Sequence, residues 1–123
     1  MTPELLTRMG RWLAFLEPEH FKMRFGYLED GNLSKIFINP KNEVDQDRLF
    51  GACFRAATAR GWYPLVESNG LQTRATILKP KASIEGTEFE KFEFGLSMAA
   101  CLIEAHGVQD WESRDPTFPE ETT

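Results

Sequence analysis

The chain has 123 residues, 41 % of them hydrophobic and 27 % charged, with two cysteines. That composition predicts one globular domain able to bury about two-thirds of its unfolded surface. It excludes a disordered chain and a disulfide scaffold, and no apolar run approaches the roughly 20 residues of a membrane span. The net charge of −5 is unevenly spread: residues 108–123 carry five acids and one base, leaving 13 bases and 14 acids in residues 1–107. The expected organisation is therefore a single domain over 1–107 and an acidic tail over 108–123. A nearly neutral body has no broad basic field, so direct nucleic-acid binding is not expected. No leader-like apolar block opens the chain, so a cytoplasmic location is expected.

Thr2-Pro3-Glu4 predicts a helix start, with a Thr cap, Pro at the first helical position and an acid at the positive end of the dipole. Leu5, Met9, Trp12, Leu13 and Leu16 form one stripe, and Pro18 stops the helix. Residues 21–28 switch to period two, and Asp30-Gly31 signals a hairpin whose return strand covers 33–39. That register sets Phe25 opposite Ile36 and Met23 opposite Ile38 on one face. Leu28 then pairs with Leu33, and Arg24 with Phe37, on the other face.

Asn42 or Asp45 caps a second helix carrying Leu49, Phe50, Cys53, Phe54 and Ala57, and Gly61 ends it. Residues 62–68 and 71–79 flank Asn69-Gly70, a strong hairpin signal. Trp62, Val66, Leu71, Ala75 and Ile77 share one face; Tyr63, Leu65, Thr76 and Leu78 share the other with Glu67 and Arg74. Pro64 lacks a donor, so its strand is expected to lie at an edge or to start late. Residues 80–86 read as a loop. Thr87 to Glu90 matches a capping box, so the third helix is predicted over 87–106, with Gly107 as its stop. Its stripe of Phe89, Phe92, Leu96, Ala99, Ala100 and Ile103 is widened by Met98, Cys101, Leu102 and Ala105, so it is buried on more than one side.

The predicted fold class is α+β, in the order α-ββ-α-ββ-α. Both hairpins carry apolar residues on both faces, so the four-stranded, mainly antiparallel sheet is expected to be sandwiched between helices.

Chemistry-bearing patterns are sparse. His20, Cys53, Cys101 and His106 show no metal-ligand spacing, and no phosphate-binding glycine loop or nucleophile elbow is present, so no metal and no cofactor is expected. Glu85, Glu88, Glu90 and Glu93 cluster where the third helix is predicted to start and suit its dipole. In the tail, Trp111 and Phe118 sit among five acids. Either the tail folds back so that Trp111 caps the core, or Asp110-Trp111-Glu112 docks to a basic partner. Leu6 and Phe15 widen the first helix's stripe around Trp12. A helix apolar on that much of its circumference predicts a homodimer through it; the alternative is a monomer in which Pro18 turns the helix back across the sheet.

Arg60-Gly61-Trp62-Tyr63 opening a hairpin, and Ser97-Met98-Ala99-Ala100-Cys101-Leu102 in a closing alanine-rich helix, give residues 37–108 an architecture that resembles the phage α-β-α sandwich domain proteins. Phe94-Gly95-Leu96-Ser97 departs from the Thr-Pro type start of that family's last helix. The resemblance implies a small accessory protein without enzymatic activity that binds a host or phage protein. The expected function is a non-enzymatic binding or regulatory protein acting through protein–protein contacts. Candidate contact residues are Trp12, Glu88, Glu90, Glu93, Asp110, Trp111, Glu112 and Phe118. One alternative is an inhibitor of a host defence system, anti-CRISPR-like, using acidic surface in place of nucleic acid. Another is a small enzyme built on His20, His106 or Cys53.

Overall fold

A computed structural model describes residues 2–24, 27–30, 35–36, 42–90 and 93–117. The first helix, α1 (Pro3–Leu16), starts as its sequence predicts: the Thr2 hydroxyl accepts from the Leu5 N–H at 3.2 Å and Pro3 opens the first turn. Met9, Trp12 and Leu13 are buried along one side, and that side packs on α3 (Phe94–Ala105) and on strands β1 (Phe21–Arg24) and β2 (Tyr27–Asp30).

The first hairpin differs from its prediction. β1 and β2 pair antiparallel with Met23 opposite Leu28 and Arg24 opposite Tyr27, so the chain reverses between Arg24 and Tyr27 rather than at Asp30-Gly31. A third strand, β3 (Lys35–Ile36), pairs with β2, setting Leu28 opposite Ile36. Ile36 thus meets Leu28, not Phe25. The predicted contacts of Phe25, Leu33, Phe37 and Ile38 lie outside the described residues.

Helix α2 (Glu43–Ala59) is capped by Asn42, whose side chain accepts from the Asp45 N–H at 3.1 Å. Its buried side runs through Leu49, Ala52, Cys53, Ala56 and Ala57, which leaves Phe54 turned outward. The helix ends in a Schellman motif: the Gly61 N–H donates to Thr58 and the Trp62 N–H to Ala57, with Gly61 at φ +78°.

A second sheet follows, built from β4 (Tyr63–Ser68), β5 (Gln72–Lys79), β6 (Ala82–Glu85) and β7 (Phe89–Glu90). β5 is its spine, paired on one side with β4 and on the other with β6 and then β7. The class is α+β with helices packed on a four-stranded antiparallel sheet, as predicted, but all four strands come from residues 63–90. The first hairpin belongs to its own three-stranded sheet.

Two local readings are corrected here. Residues 82–85 are a strand, not part of a loop, and 89–90 are a strand, not the start of a helix. β6 and β7 are one strand broken by a bulge. Between the pairs Thr76–Glu85 and Thr73–Phe89 the outer strand has three residues against two. The Thr-x-x-Glu pattern that resembles a capping box therefore spans this bulge, and α3 begins at Phe94.

Helix α3 carries no side-chain cap of its own. Its cap comes from α2, where Gln46 Oε1 accepts from the Leu96 N–H at 3.0 Å. The close approach is possible because residue 95 is glycine. A Cβ there would stand 2.5 Å from the Gln46 carbonyl oxygen. Gly to Ala inside a helix ordinarily stabilises by about 1 kcal/mol. At Gly95 the sign should reverse, with Gly95→Ala costing about 1–3 kcal/mol as α2 and α3 are pushed apart. Urea unfolding measures this; an unchanged midpoint would show that the helices yield freely.

Helix α3 is the centre of the molecule. From Gly95 to Ile103 every residue is buried, and α1, α2 and the second sheet all pack on it.

Candidate docking face

The second sheet has one covered and one open face. Pro64, Val66, Ala75 and Ile77 point toward α2 and α3 and are buried or half-buried. The opposite face carries Tyr63, Leu65 and Leu78, which are 62 %, 38 % and 40 % exposed. The helices therefore gather on one side of this sheet and do not sandwich it. These face assignments follow the predicted ones although the turn does not. Ser68 pairs with Thr73, two residues out of the register that an Asn69-Gly70 turn requires. A shift of two leaves every side chain on its own face. Leu71, predicted on the inner face, is instead 83 % exposed in the turn, where Asn69 Oδ1 accepts from the Leu71 and Gln72 N–H groups.

Beside the apolar trio the open face becomes acidic. Glu67 stands opposite Arg74, and the Arg74 guanidinium donates to Glu88 at 2.6 Å and lies 3.5 Å from Glu85. Two carboxylates share the Arg74 cation and a third, Glu67, stands opposite it in the ladder, a net of −2. A hollow of about 170 Å³ opens between Glu67, Thr73, Arg74 and Glu88.

The backbone along this sheet's edges follows from the ladder. The Asn69 N–H donates to the Gln72 carbonyl, so Glu67–Arg74 and Leu65–Thr76 are hydrogen-bonded pairs. Pro64, Val66 and Ser68 then turn their main-chain groups away from β5. The missing N–H of Pro64 falls on the free edge, where a proline is tolerated in a sheet. Among the described residues nothing pairs with the main chain of Val66 or Ser68. The opposite edge is guarded by the bulge and by Glu85, Glu88 and Glu90.

Most of the contact residues expected from sequence are engaged inside the chain. Trp12 is 3 % and Trp111 1 % exposed, so neither offers a surface to a partner. The Trp12 Nε1–H donates to the carbonyls of Trp111 and Arg114 at 3.2 and 3.0 Å, and the Arg114 guanidinium lies over its ring. Arg8 and Arg11 both reach Asp115, and Arg8 also donates to the Glu112 carbonyl. Residues 108–117 are thus folded back on α1; Met9, Trp12 and Leu13 of the stripe that predicts a dimer are buried within the chain, while Leu5, Leu6, Phe15 and Leu16 are half-buried. The Arg8 hydrogen bond holds the Asp115 carboxyl below the usual aspartate range; Arg114 does the same for Asp110. Glu88 is paired with Arg74, Glu90 lies on β7, and Glu93 precedes α3, where burial and then the Glu90 charge push its carboxyl up. Glu88 precedes β7, Glu90 ends it, and the Glu93 N–H donates to the Glu90 carbonyl ahead of α3, so the three glutamates do not lie in the first turn of that helix. Phe118 lies outside the described residues.

A second cluster sits where the three helices end. Glu17, Arg60 and His106 are the C-cap residues of α1, α2 and α3. Glu17 Oε1 accepts from Arg60 Nε and lies 2.9 Å from His106 Nε2. Lys79 Nζ donates to the Ala105 carbonyl at 2.9 Å, and Lys79 and Arg60 both lie over the Trp62 ring. Three negative dipole ends meet there, and cations gather on them. Neither thiol is poised for chemistry. Burial, reinforced by the Glu17 charge, pushes Cys53 far up, and burial with the Glu104 charge raises Cys101 to about 12. Among the described residues no group of three or more His, Cys, Asp or Glu is placed to hold a metal ion, and no helix is long and apolar enough to cross a membrane. Compared with protein-family models, with curated proteins and with solved structures, the chain matches none of them.

Proposed function

We propose that this is a non-enzymatic binding protein that acts through protein–protein contacts, using the open face of the second sheet. The observation that carries the reading is the apolar trio Tyr63, Leu65 and Leu78, exposed side by side on that face. A tyrosine and two leucines beside a charged rim match the layout of an interface, an apolar centre with a polar border. The buried thiols and the carboxylates already paired with Arg8, Arg11, Arg74 and Arg114 lend no weight to the enzyme and acid-mimic alternatives. The phage accessory character rests on the sequence resemblance alone.

The test is recovery of a partner from cells that naturally make the protein. Leu65→Asp or Tyr63→Asp should weaken binding at least ~tenfold, the effect of losing one interface anchor. Val44→Asp, equally exposed but on α2, should leave it unchanged. Wild-type binding by both sheet variants, with folding verified by circular dichroism, would overturn the assignment.

A further inference from the structure

Resting on that reading, we infer that the partner enters as an extended segment that adds as a further strand to the free edge of β4, with a basic side chain beside Glu67 and apolar side chains beside Leu65 and Tyr63. Three independent features converge on this occupant. First, the main-chain groups of Val66 and Ser68 and the Pro64 carbonyl face outward along one edge, which is a template for strand addition. Second, the exposed trio covers only a few hundred Å², well below the roughly 800 Å² per partner of a stable dimer. A narrow segment fits such a patch better than a second copy does. A second copy pairing antiparallel about Val66 would also set Pro64 opposite Ser68 twice over, losing a donor each time. Third, Glu85 and Glu88 pair with the Arg74 guanidinium while Glu67 stands opposite Arg74 in the ladder, a net of −2, and the hollow lined by Glu67 and Glu88 has room for an ammonium or guanidinium head.

The ladder fixes the pattern of the segment. Its residue opposite Val66 points to the covered side. Its neighbours opposite Leu65 and Glu67 point to the open side. The segment therefore alternates, with apolar residues opposite Tyr63 and Leu65 and a lysine or arginine opposite Glu67.

The probe is a random peptide library selected on the intact chain. Enriched peptides should alternate apolar and polar residues and carry Lys or Arg at one end of the alternation. A synthetic peptide of that sequence should lose at least ~tenfold in affinity when Glu67 becomes Lys, through like-charge juxtaposition. It should lose as much when the amides that face β4 are N-methylated, because strand addition draws affinity from the main chain. Amide exchange at Val66 and Ser68 should slow on binding. Acidic or helically patterned peptides, binding indifferent to N-methylation, or enrichment no greater than on the Leu65→Asp variant would each overturn the inference. So would a doubled mass in light scattering with slowed exchange at Val66 and Ser68 in the free protein, since a second copy would then hold the edge. If partner recovery still depends on Leu65 while these peptide results fail, the face binds protein by another geometry. Failure of both removes the face itself.

Discussion

Replacing Trp111 with alanine is expected to cost about 3–5 kcal/mol, the usual loss for truncating a buried large aromatic. Trp111 is 1 % exposed and belongs to the main core with Met9, Trp12 and Leu13. Its carbonyl accepts the Trp12 indole N–H, so losing the side chain also loosens the anchor of the 108–117 segment on α1. A domain of this size has a total stability of about 5–15 kcal/mol, and the variant would keep only a fraction of it. Trp111→Phe should cost much less. The buried indole N–H of Trp111 makes no hydrogen bond of regular geometry among the described residues and faces Glu104 as its one polar neighbour, so its removal costs that weak contact and little else. Burial pushes the Glu104 carboxyl above the usual range, with the Glu112 charge adding to it, and the Trp111 indole N–H offsets part of that rise. Urea unfolding followed by circular dichroism measures all three forms. A loss below about 1 kcal/mol for Trp111→Ala would mean that 108–117 is an appendage after all.

The docking of that segment was half legible in the sequence. Trp111 amid five acids announces that something must cover a large aromatic, but the acids also describe a free tail. Only the tertiary pairing of Asp115 with Arg8 and Arg11 decides between them. Helices α1 and α2 could be read because their caps are local: Thr2, Pro3, Asn42 and Gly61 act on neighbours within four residues. Helix α3 could not be placed at its start because its cap, Gln46, is fifty residues away. The first hairpin misled because alternation from Phe21 to Tyr27 hides a reversal between Arg24 and Tyr27. The second hairpin tolerated a turn error because a two-residue slip conserves the faces.

The candidate docking face was visible as a composition and not as a surface. The grouping of Tyr63, Leu65 and Leu78 with Glu67 and Arg74 is in the strand alternation. Whether a helix covers such a face is decided by where the helices pack, and alternation carries no information on that. The charged pair on an otherwise apolar face was the local signal that this side meets water.

Glu17→Leu is expected to cost about 2–4 kcal/mol near neutral pH, less than the full loss of a buried ion pair because Arg60, left behind, is 41 % exposed and can be hydrated. Glu17 is 4 % exposed at the C-cap of α1 and is bonded by Arg60 and His106, the C-cap residues of α2 and α3. One carboxylate therefore ties three helix ends together. Glu17→Gln keeps the shape and an acceptor oxygen and should cost less, about 2–3 kcal/mol, the value of hydrogen bonds to a charged group. The pH dependence separates charge from packing. Burial alone would raise the Glu17 carboxyl, but the hydrogen bonds from His106 and Arg60, with their charges, outweigh it and hold the carboxyl below its ordinary value of 4.5. A depressed folded-state value means the unfolded chain binds the proton more readily. The stabilisation is fully present above 4.5 and is lost as pH falls through the lower folded value. The stability gap between wild type and Glu17→Gln should therefore hold from neutral pH down to about 5 and close progressively below it. Taking the difference cancels the parallel titrations of Asp110 and Asp115, which both proteins share. A gap that stays constant through the acid range would assign the stabilisation to the shape of the side chain and not to its charge.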